Sequence, residues 1–234
     1  MKLKTLALST TLIMAAIGTA YALQSGEAET ELSNYQGTYT CHPEAIYDPN
    51  SIEGVQEIVK DALMRGKKVM TGNRKFASQI DAACAGDGQV QLTLKNMDKI
   101  VHFDANNRRI TVEAGMRFND LNDFLRGQGY AINMVTELAI FTVGGMLGSG
   151  THGSTLEKPS NMLADYVTQI KIVDGEGNVR VLSGDLLDAA RVNLGVLGVV
   201  VEVTLAIEEA FKVKAEVTGY REVDPNGWTH KLIP

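Results

Sequence analysis

Positive charge is the first thing this chain has too little of: 22 lysines and arginines stand against 28 aspartates and glutamates, for a net charge of −6. No run of like charges and no basic stripe breaks that balance, which argues against a nucleic-acid partner. Histidine is scarce too. His42, His102, His152 and His230 are scattered without the spacing that clamps zinc, so no metal site is expected. Cysteine is limited to Cys41 and Cys84. Two residues so far apart in sequence do not establish a bridge; buried free thiols are the expectation, and pairing is the alternative that an exported protein would allow. There is no internal repeat and no low-complexity linker.

What is present is ordinary for a soluble globular chain: 234 residues, 44% hydrophobic and 21% charged. That length suits one large domain or two small ones. The first residues stand apart from it. Lys2 and Lys4 precede an uncharged stretch from Thr5 to Ala20, and Ala20-Tyr21-Ala22 has the small-x-small form of a signal peptidase site. Residues 1–22 therefore read as a signal peptide, which makes the mature protein secreted or periplasmic. An uncleaved anchor or an organelle-targeting segment are the alternatives. Cleavage removes two lysines and no acid, so the mature charge is −6 − 2 = −8. No second long apolar run follows, and no stable membrane span is expected after cleavage. Residues 23–33, acidic and small, read as a disordered leader.

Pro43 and Pro49 bracket an extended piece. Asn50 then stands where a helix cap could, with Glu53 completing a capping box, and Ser51 is the alternative cap. Val55, Ile58, Val59 and Leu63 follow at helical spacing, and Lys67 to Met70 has the length of a short buried strand ending at Gly72. Lys99–Phe103 and Arg109–Glu113 flank Asp104-Ala105-Asn106-Asn107 as a β-hairpin. Phe118, Leu121, Phe124 and Leu125 form a helical face that Gly127 and Gly129 end. A second hairpin turns at Gly175-Glu176-Gly177. Asp185 to Leu194 reads as a short helix, and Val199 to Ile207 as a strongly β-branched strand. A helix-and-strand unit followed by hairpins with short helices between them predicts an α+β fold rather than a regular doubly wound sheet.

Turn residues concentrate at Gly72-Asn73-Arg74-Lys75 and in the run from Thr142 to Gly153. Glycine lets backbone N–H groups approach an anion closely, and successive N–H groups can form a concave anion site. Ser149 and Thr151 add hydroxyls. A tight turn or a close helix crossing is the plainer reading of the same glycines. The stretch lacks the strand–turn–helix setting and the distant acid of a dinucleotide fingerprint, and there is no P-loop lysine motif. The chemistry left is a phosphate cradle of another kind.

Read in order, three motifs resemble the PCMH-type FAD-binding domain of the vanillyl-alcohol oxidase superfamily. They are Ile110-Thr111-Val112-Glu113-Ala114-Gly115, then Thr142-Val143-Gly144-Gly145 running into Gly148-Ser149-Gly150-Thr151-His152-Gly153, and then Ala189 to Val200. The nearest branch is that of the sugar-lactone (gulonolactone and arabinonolactone) and alditol oxidases. The resemblance covers roughly residues 34–208. It implies two lobes, about 35–94 and 97–207, with FAD extended between them and an irregular tail at 209–234.

By motif match, Gly72, Asn73, Arg74 and Lys75, together with Thr142, Gly144, Gly145, Ser149, Gly150, Thr151, His152 and Gly153, would hold the pyrophosphate and ribityl chain. Gly115 would pass close to the cofactor, and the segment with Gly198 and Val200 would touch the flavin or adenine through its backbone. Where many members carry a histidine covalently joined to the flavin, this chain has Lys75. The resemblance therefore implies non-covalent FAD, less oxidising than the covalent form, with Lys75 near a phosphate or the flavin ring. His152 is implied to be structural or cofactor-adjacent, and Arg191 an ion-pair or helix-end residue. The implied activity is oxidation of a CH–OH group in a sugar, sugar lactone or polyol. Relatives carry most of their catalytic residues in a second, substrate-binding domain that is not recognisable here. No catalytic residue is assigned, and the alternative is a flavin-binding module that awaits a partner polypeptide.

Overall fold

A computed structural model describes residues 31–72, 84–134, 136–153 and 161–212. The expected signal peptide, Asn73, Arg74, Lys75 and the chain beyond 212 lie outside these described residues.

Strands β1 (Leu32–Ser33) and β2 (Thr40–Cys41) make a small antiparallel hairpin. Leu32 and Ser33, expected in a disordered leader, are thus paired, because Leu32 is buried against Cys41 and Cys84. The two cysteines form a disulfide with Cα atoms 6.5 Å apart. This corrects the expectation of free thiols: the fold brings together residues 43 apart in sequence, which spacing cannot reveal.

Next come β3 (Ala45–Tyr47), α1 (Ile52–Met64), β4 (Val69–Thr71) and β5 (Val90–Leu92). The strands form a parallel sheet in the order β3-β5-β4, with α1 as the crossover from β3 to β4. The cap of α1 is Ser51, whose hydroxyl accepts from Gly54 N at 3.1 Å. Asn50 is not the cap, and Glu53 falls one place short of a capping box. Val55, Val59 and Ala62 face inward, whereas Leu63 is exposed. At 3.6 residues per turn Ala62 returns to within about 20° of Val55, while Leu63 is turned about 80° away. Strand β4 is half-buried rather than buried, as an edge strand. The central strand β5 is covered on both faces, with Val90, Gln91 and Leu92 all at 0% exposure.

The rest of the chain builds β6 (Ile100–Asp104), β7 (Arg109–Glu113), α2 (Phe118–Gly127), β8 (Tyr130–Ala131), α3 (Val143–Gly148) and α4 (Leu163–Tyr166). It continues through β9 (Val167–Val173), β10 (Val179–Leu182), α5 (Asp185–Ala190), β11 (Val199–Ala206) and β12 (Glu208–Glu209). Five of these strands form an antiparallel sheet, β10-β9-β11-β7-β6, which contains both expected hairpins. The expected helix after Asp185 stops at Ala190, four residues short of Leu194. Glu209, expected in an irregular tail, pairs with Tyr130. The fold mixes helices and strands over several sheets, and its three-stranded sheet is parallel. Among the described residues no helix is long and apolar enough to cross a membrane.

Alternation sends Ile110 and Val112 of β7 and Ile170 and Ile172 of β9 into the main core, and a register shift near the start of β9 adds Val167; Phe118, Leu121 and Leu125 of α2 join the same core. Each such side chain contributes about 1.5–3 kcal/mol of burial. Strand β11 serves two cores. Its register against β9 shifts between Val200 and Glu202. Val200, Val203 and Leu205 therefore join the main core, while Val199 and Val201 join Val55, Val59, Leu92, Met97 and Val173 in a second cluster. That second cluster glues α1 and β5 to the large sheet. Gln56 Nε2 adds a hydrogen bond to Gly177 O, at the β9–β10 turn, of 2.7 Å.

Candidate cofactor site

The glycine-rich run does not form one continuous loop. Thr142 caps the six-residue helix α3, its hydroxyl accepting from Gly145 N at 3.2 Å, and the chain opens again only at Ser149. Three glycines are poor helix formers, so this helix depends on its neighbours. Val143 N donates to Met116 O and Gly144 N to Ala114 O, both at 2.8 Å, which ties the helix start to the end of β7. A Cβ on Gly144 would stand 2.9 Å from Ala114 Cβ and 3.0 Å from Ala114 O. Glycine is required there for close packing.

The same accounting changes how the run can hold an anion. Met146 N donates to Thr142 O, Ser149 N to Gly145 O, Gly150 N to Leu147 O, Thr151 N to Met146 O and Gly153 N to Asn161 O. These amides serve the chain itself, so they do not present the open concave cradle that the sequence suggested. What faces outward is the hydroxyl pair. Ser149 Oγ lies 2.8 Å from Gly145 O and 3.1 Å from Thr151 Oγ1.

Gly115 and Gly198 are also packing glycines. A Cβ on Gly115 would lie 1.8 Å from Leu94 O and 2.6 Å from Met97 O, and Gly115 N donates to Met97 O at 2.9 Å. The glycine thus lets the turn after β5 press on the end of β7, joining the two sheets. Gly198, at φ 131°, would place a Cβ 2.3 Å from Val173 O. Val200 is buried in the main core with its backbone in the β9–β11 ladder. His152 is exposed, forms an antiparallel bridge with Met162, and has Nδ1 3.4 Å from Gly153 O. Arg191 follows α5, pairs with Asp188 at 3.2 Å and donates to Val167 O at 3.0 Å, in line with an ion-pair or helix-end role.

The third motif carries a feature that glycine counting misses. Asn193 is buried; its amide donates to Ala190 O at 2.8 Å and its oxygen accepts from Gly195 N at 2.7 Å. On either side of it, Val192 and Leu194 sit at φ 57° and 52°, a region that branched and bulky residues rarely enter. This arrangement turns Leu194, Val196 and Leu197 out to the surface, with Val196 83% exposed. The turn touches the glycine run: Leu194 N donates to Gly148 O at 3.0 Å, and Val192 Cγ1 stands 3.0 Å from where a Cβ of Gly150 would be. A hydroxyl pair and an exposed apolar ridge therefore lie side by side. That mixture fits a flavin dinucleotide, which has an apolar ring system and a polar ribityl–phosphate chain. A Cβ at Gly148 or Gly195 would meet nothing within 4 Å, so neither glycine is required by packing.

On the three-stranded sheet, Gly72 N donates to Leu92 O at 3.1 Å, so the start of the first turn-rich segment is anchored on β5. Gln91 Nε2 donates to Gly72 O at 3.4 Å. Sequence reading passed over Gln91 because Val90-Gln91-Leu92-Thr93 alternates like a half-exposed strand, whereas both polar residues are buried. Tyr166, whose hydroxyl donates to Asn133 O at 2.6 Å, is held above the usual tyrosine range by burial and then by Glu208 and Asp165. Among the described residues no three His, Cys, Asp or Glu side chains gather as a metal site.

A family model described as "FAD binding domain" matches residues 43–183, more than half of the chain. The chain is 31% identical over 207 residues to D-arabinono-1,4-lactone oxidase of Kluyveromyces lactis, covering 84% of this chain and 38% of that protein. It is 34% identical over 185 residues to L-gulonolactone oxidase of Mus musculus, covering 77% and 41%. L-gulonolactone oxidase of Bos taurus is 31% identical over 195 residues, covering 81% and 43%. The chain thus spans about two fifths of the length of these relatives.

Proposed function

Since the chain belongs to the family of FAD binding domains, we propose that it holds FAD non-covalently and serves the oxidation of a CH–OH group in a sugar lactone, sugar or polyol. The observation that carries the reading is the 31–34% identity to lactone oxidases across most of the chain. The chemistry FAD supplies when bound is two-electron acceptance from a CH–OH carbon. This chain's own part is binding and orientation. Ser149 and Thr151 offer hydroxyls to the polar chain of the dinucleotide, and Val192, Leu194 and Val196 offer an apolar face that excludes water. Gly72 to Lys75 is assigned to the pyrophosphate. Lysine does not form the histidyl–flavin bond, so Lys75 supports non-covalent attachment. Gly115, Gly144, Gly145, Gly150, Gly153, Gly198 and Val200 take part through the backbone shape they permit rather than through free amides.

We read the parallel and antiparallel sheets as the two lobes of a PCMH-type domain. The stretch from Lys2 to Ala22 supports export. A second reading is a flavin-binding module that turns over no substrate by itself, since the hydroxyl pair and the apolar ridge of the site supply binding groups.

Absorbance of the purified protein before and after acid precipitation tests the cofactor. Flavin bands that pass to the supernatant are expected. Bands retained in the pellet would overturn non-covalent attachment, and colourless protein that ignores added FAD would overturn the reading as a whole. A panel of aldonolactones and polyols then separates the two readings: flavin bleaching under anaerobic conditions marks the enzyme, and unchanged flavin marks the module.

A further inference from the structure

Two helices end on one turn. The last carbonyl of α3, Gly148 O, accepts from Leu194 N at 3.0 Å, and the last of α5, Ala190 O, accepts from Asn193 Nδ2 at 2.8 Å. Asn193 is buried, and its Oδ1 also accepts from Gly195 N at 2.7 Å. Its backbone carbonyl accepts from Val196 N at 3.0 Å. The residues on either side lie in the left-handed region, Val192 at φ 57° and Leu194 at φ 52°. A branched or bulky side chain persists there only where its surroundings over-determine it. The Asn193 amide, bonded both before and after itself in the chain, supplies that constraint. Its effect reaches both sides of the turn. Val192 is set against Gly150, and Leu194 and Val196 are turned outward beside the Ser149 and Thr151 hydroxyls. An apolar side chain of the same size at position 193 would leave Ala190 O and the Gly195 N–H without these partners.

We propose that Asn193 is a positioning residue of the flavin site: its buried amide holds Val192 and Leu194 in left-handed conformations, keeps the apolar ridge beside the Ser149–Thr151 hydroxyls, and thereby sets the affinity for FAD. The proposal rests on the reading that this ridge and this hydroxyl pair receive the dinucleotide. Asn193 itself is buried and touches no cofactor; it acts through the residues it holds. Once released, Val192 and Leu194 relax toward ordinary φ values, and the ridge has to be rebuilt as the ligand arrives. Groups already in place lose less freedom on binding, so the amide acts on affinity rather than on the chemistry.

The test compares Asn193→Leu, Asn193→Ser and Thr204→Val in the full chain. Thr204 alternates with Val203 and Leu205 of the main core, so it faces away from that core, with its hydroxyl 2.9 Å from that of Thr111. FAD is titrated by flavin fluorescence, the visible spectrum of the bound flavin is recorded at saturation, and each melting temperature is measured without cofactor. Asn193→Leu is expected to weaken FAD binding roughly tenfold, about the worth of one hydrogen bond. The resolved shoulders of a flavin in an apolar site should also blur toward the spectrum of FAD in water. Asn193→Ser retains an oxygen that can accept from Gly195 N, so its loss should be smaller, and it provides the readout if Asn193→Leu does not fold. Thr204→Val should lower the melting temperature without altering FAD affinity or the bound spectrum.

Equal FAD affinity for the Asn193 variants and the unsubstituted chain would overturn the role of Asn193 while leaving the cofactor reading intact. So would a loss no greater than that of Thr204→Val at the same drop in melting temperature, with the bound spectrum unchanged. If the unsubstituted chain binds no FAD, the functional reading falls and the role of Asn193 falls with it.

Discussion

In the five-stranded sheet, β7, β9 and β11 send Ile110, Val112, Ile170, Val203 and Leu205 into one apolar layer that α2 closes from the other side. In the three-stranded sheet, strands of three residues each surround a buried amide. A disulfide, the Ser51 cap and the ion pairs of Glu44 with Arg65 and Lys67 hold its surroundings. The difference follows from size. Long antiparallel strands bury a wide continuous face, whereas short parallel strands bury too little to stand alone. The small sheet therefore relies on cross-links and polar pins, and on borrowing Val173, Val199 and Val201 from the large one. It is the part of the molecule that redox state and single polar substitutions can reach.

The strongest challenge to that picture is Gly115→Ala, where the two sheets meet. A methyl group 1.8 Å from a backbone oxygen forces the turn at Leu94–Met97 off the end of β7. The expected cost is about 3 kcal/mol or more, seen as a lower urea midpoint. Near-normal stability would mean that the junction gives way freely and the sheets are not locked together. Reducing the Cys41–Cys84 bridge comes next, at about 2–4 kcal/mol. Exchange protection should fall first in β3 and β5 and persist in β7, β9 and β11. Uniform loss across all strands would erase the distinction between the sheets.

Acid should act more weakly and on both regions. Glu44 is held below the usual carboxylate range by Lys67 first and Arg65 next. Asp174, at the β9–β10 turn, is held below it chiefly by Arg180, with help from the amides of Asn178 and Glu176. A carboxyl depressed in the folded state stabilises fully above its unfolded value near pH 4 and loses that contribution as pH falls through its folded value. Stability should thus drop only below about pH 4, and Glu44→Gln and Asp174→Asn should each flatten that acid limb in melting curves. Added salt should shrink the Glu44 part more, since its side chain is 36% exposed against 16% for Asp174. Equal salt sensitivity would show that the ion pairs do not distinguish the two regions.

Much of the large sheet could be read in advance. Two hairpins, the α2 face and the β11 strand carry period-2 or period-3.6 patterns strong enough to survive without tertiary information. The small sheet was harder to read. Asn50 and Ser51 are adjacent and both good caps, and only the hydrogen bond to Gly54 N decides between them. At the candidate site, the motifs from Ile110 to Gly115 and from Thr142 to Gly153 drew attention to glycines whose packing the sequence did not reveal. Their glycines answer to Ala114, Leu94 and Val192 as close neighbours, and their amides are taken by chain carbonyls. Gln91 and Asn193 went unnoticed, because a polar residue in an alternating or glycine-rich stretch looks solvated until both of its faces are seen to be covered.

The order of the main strands and helices, the net negative charge and the family to which the chain belongs were all determined by the sequence itself. Each depends on local periodicity, on composition or on motifs read in order along the chain. Tertiary structure alone decided the rest: that Cys41 meets Cys84, that β11 shifts register to serve two cores, and that glycine at 115 lets the two sheets touch. These depend on distances between residues remote in sequence, where one missing Cβ or one buried amide decides which backbones come together.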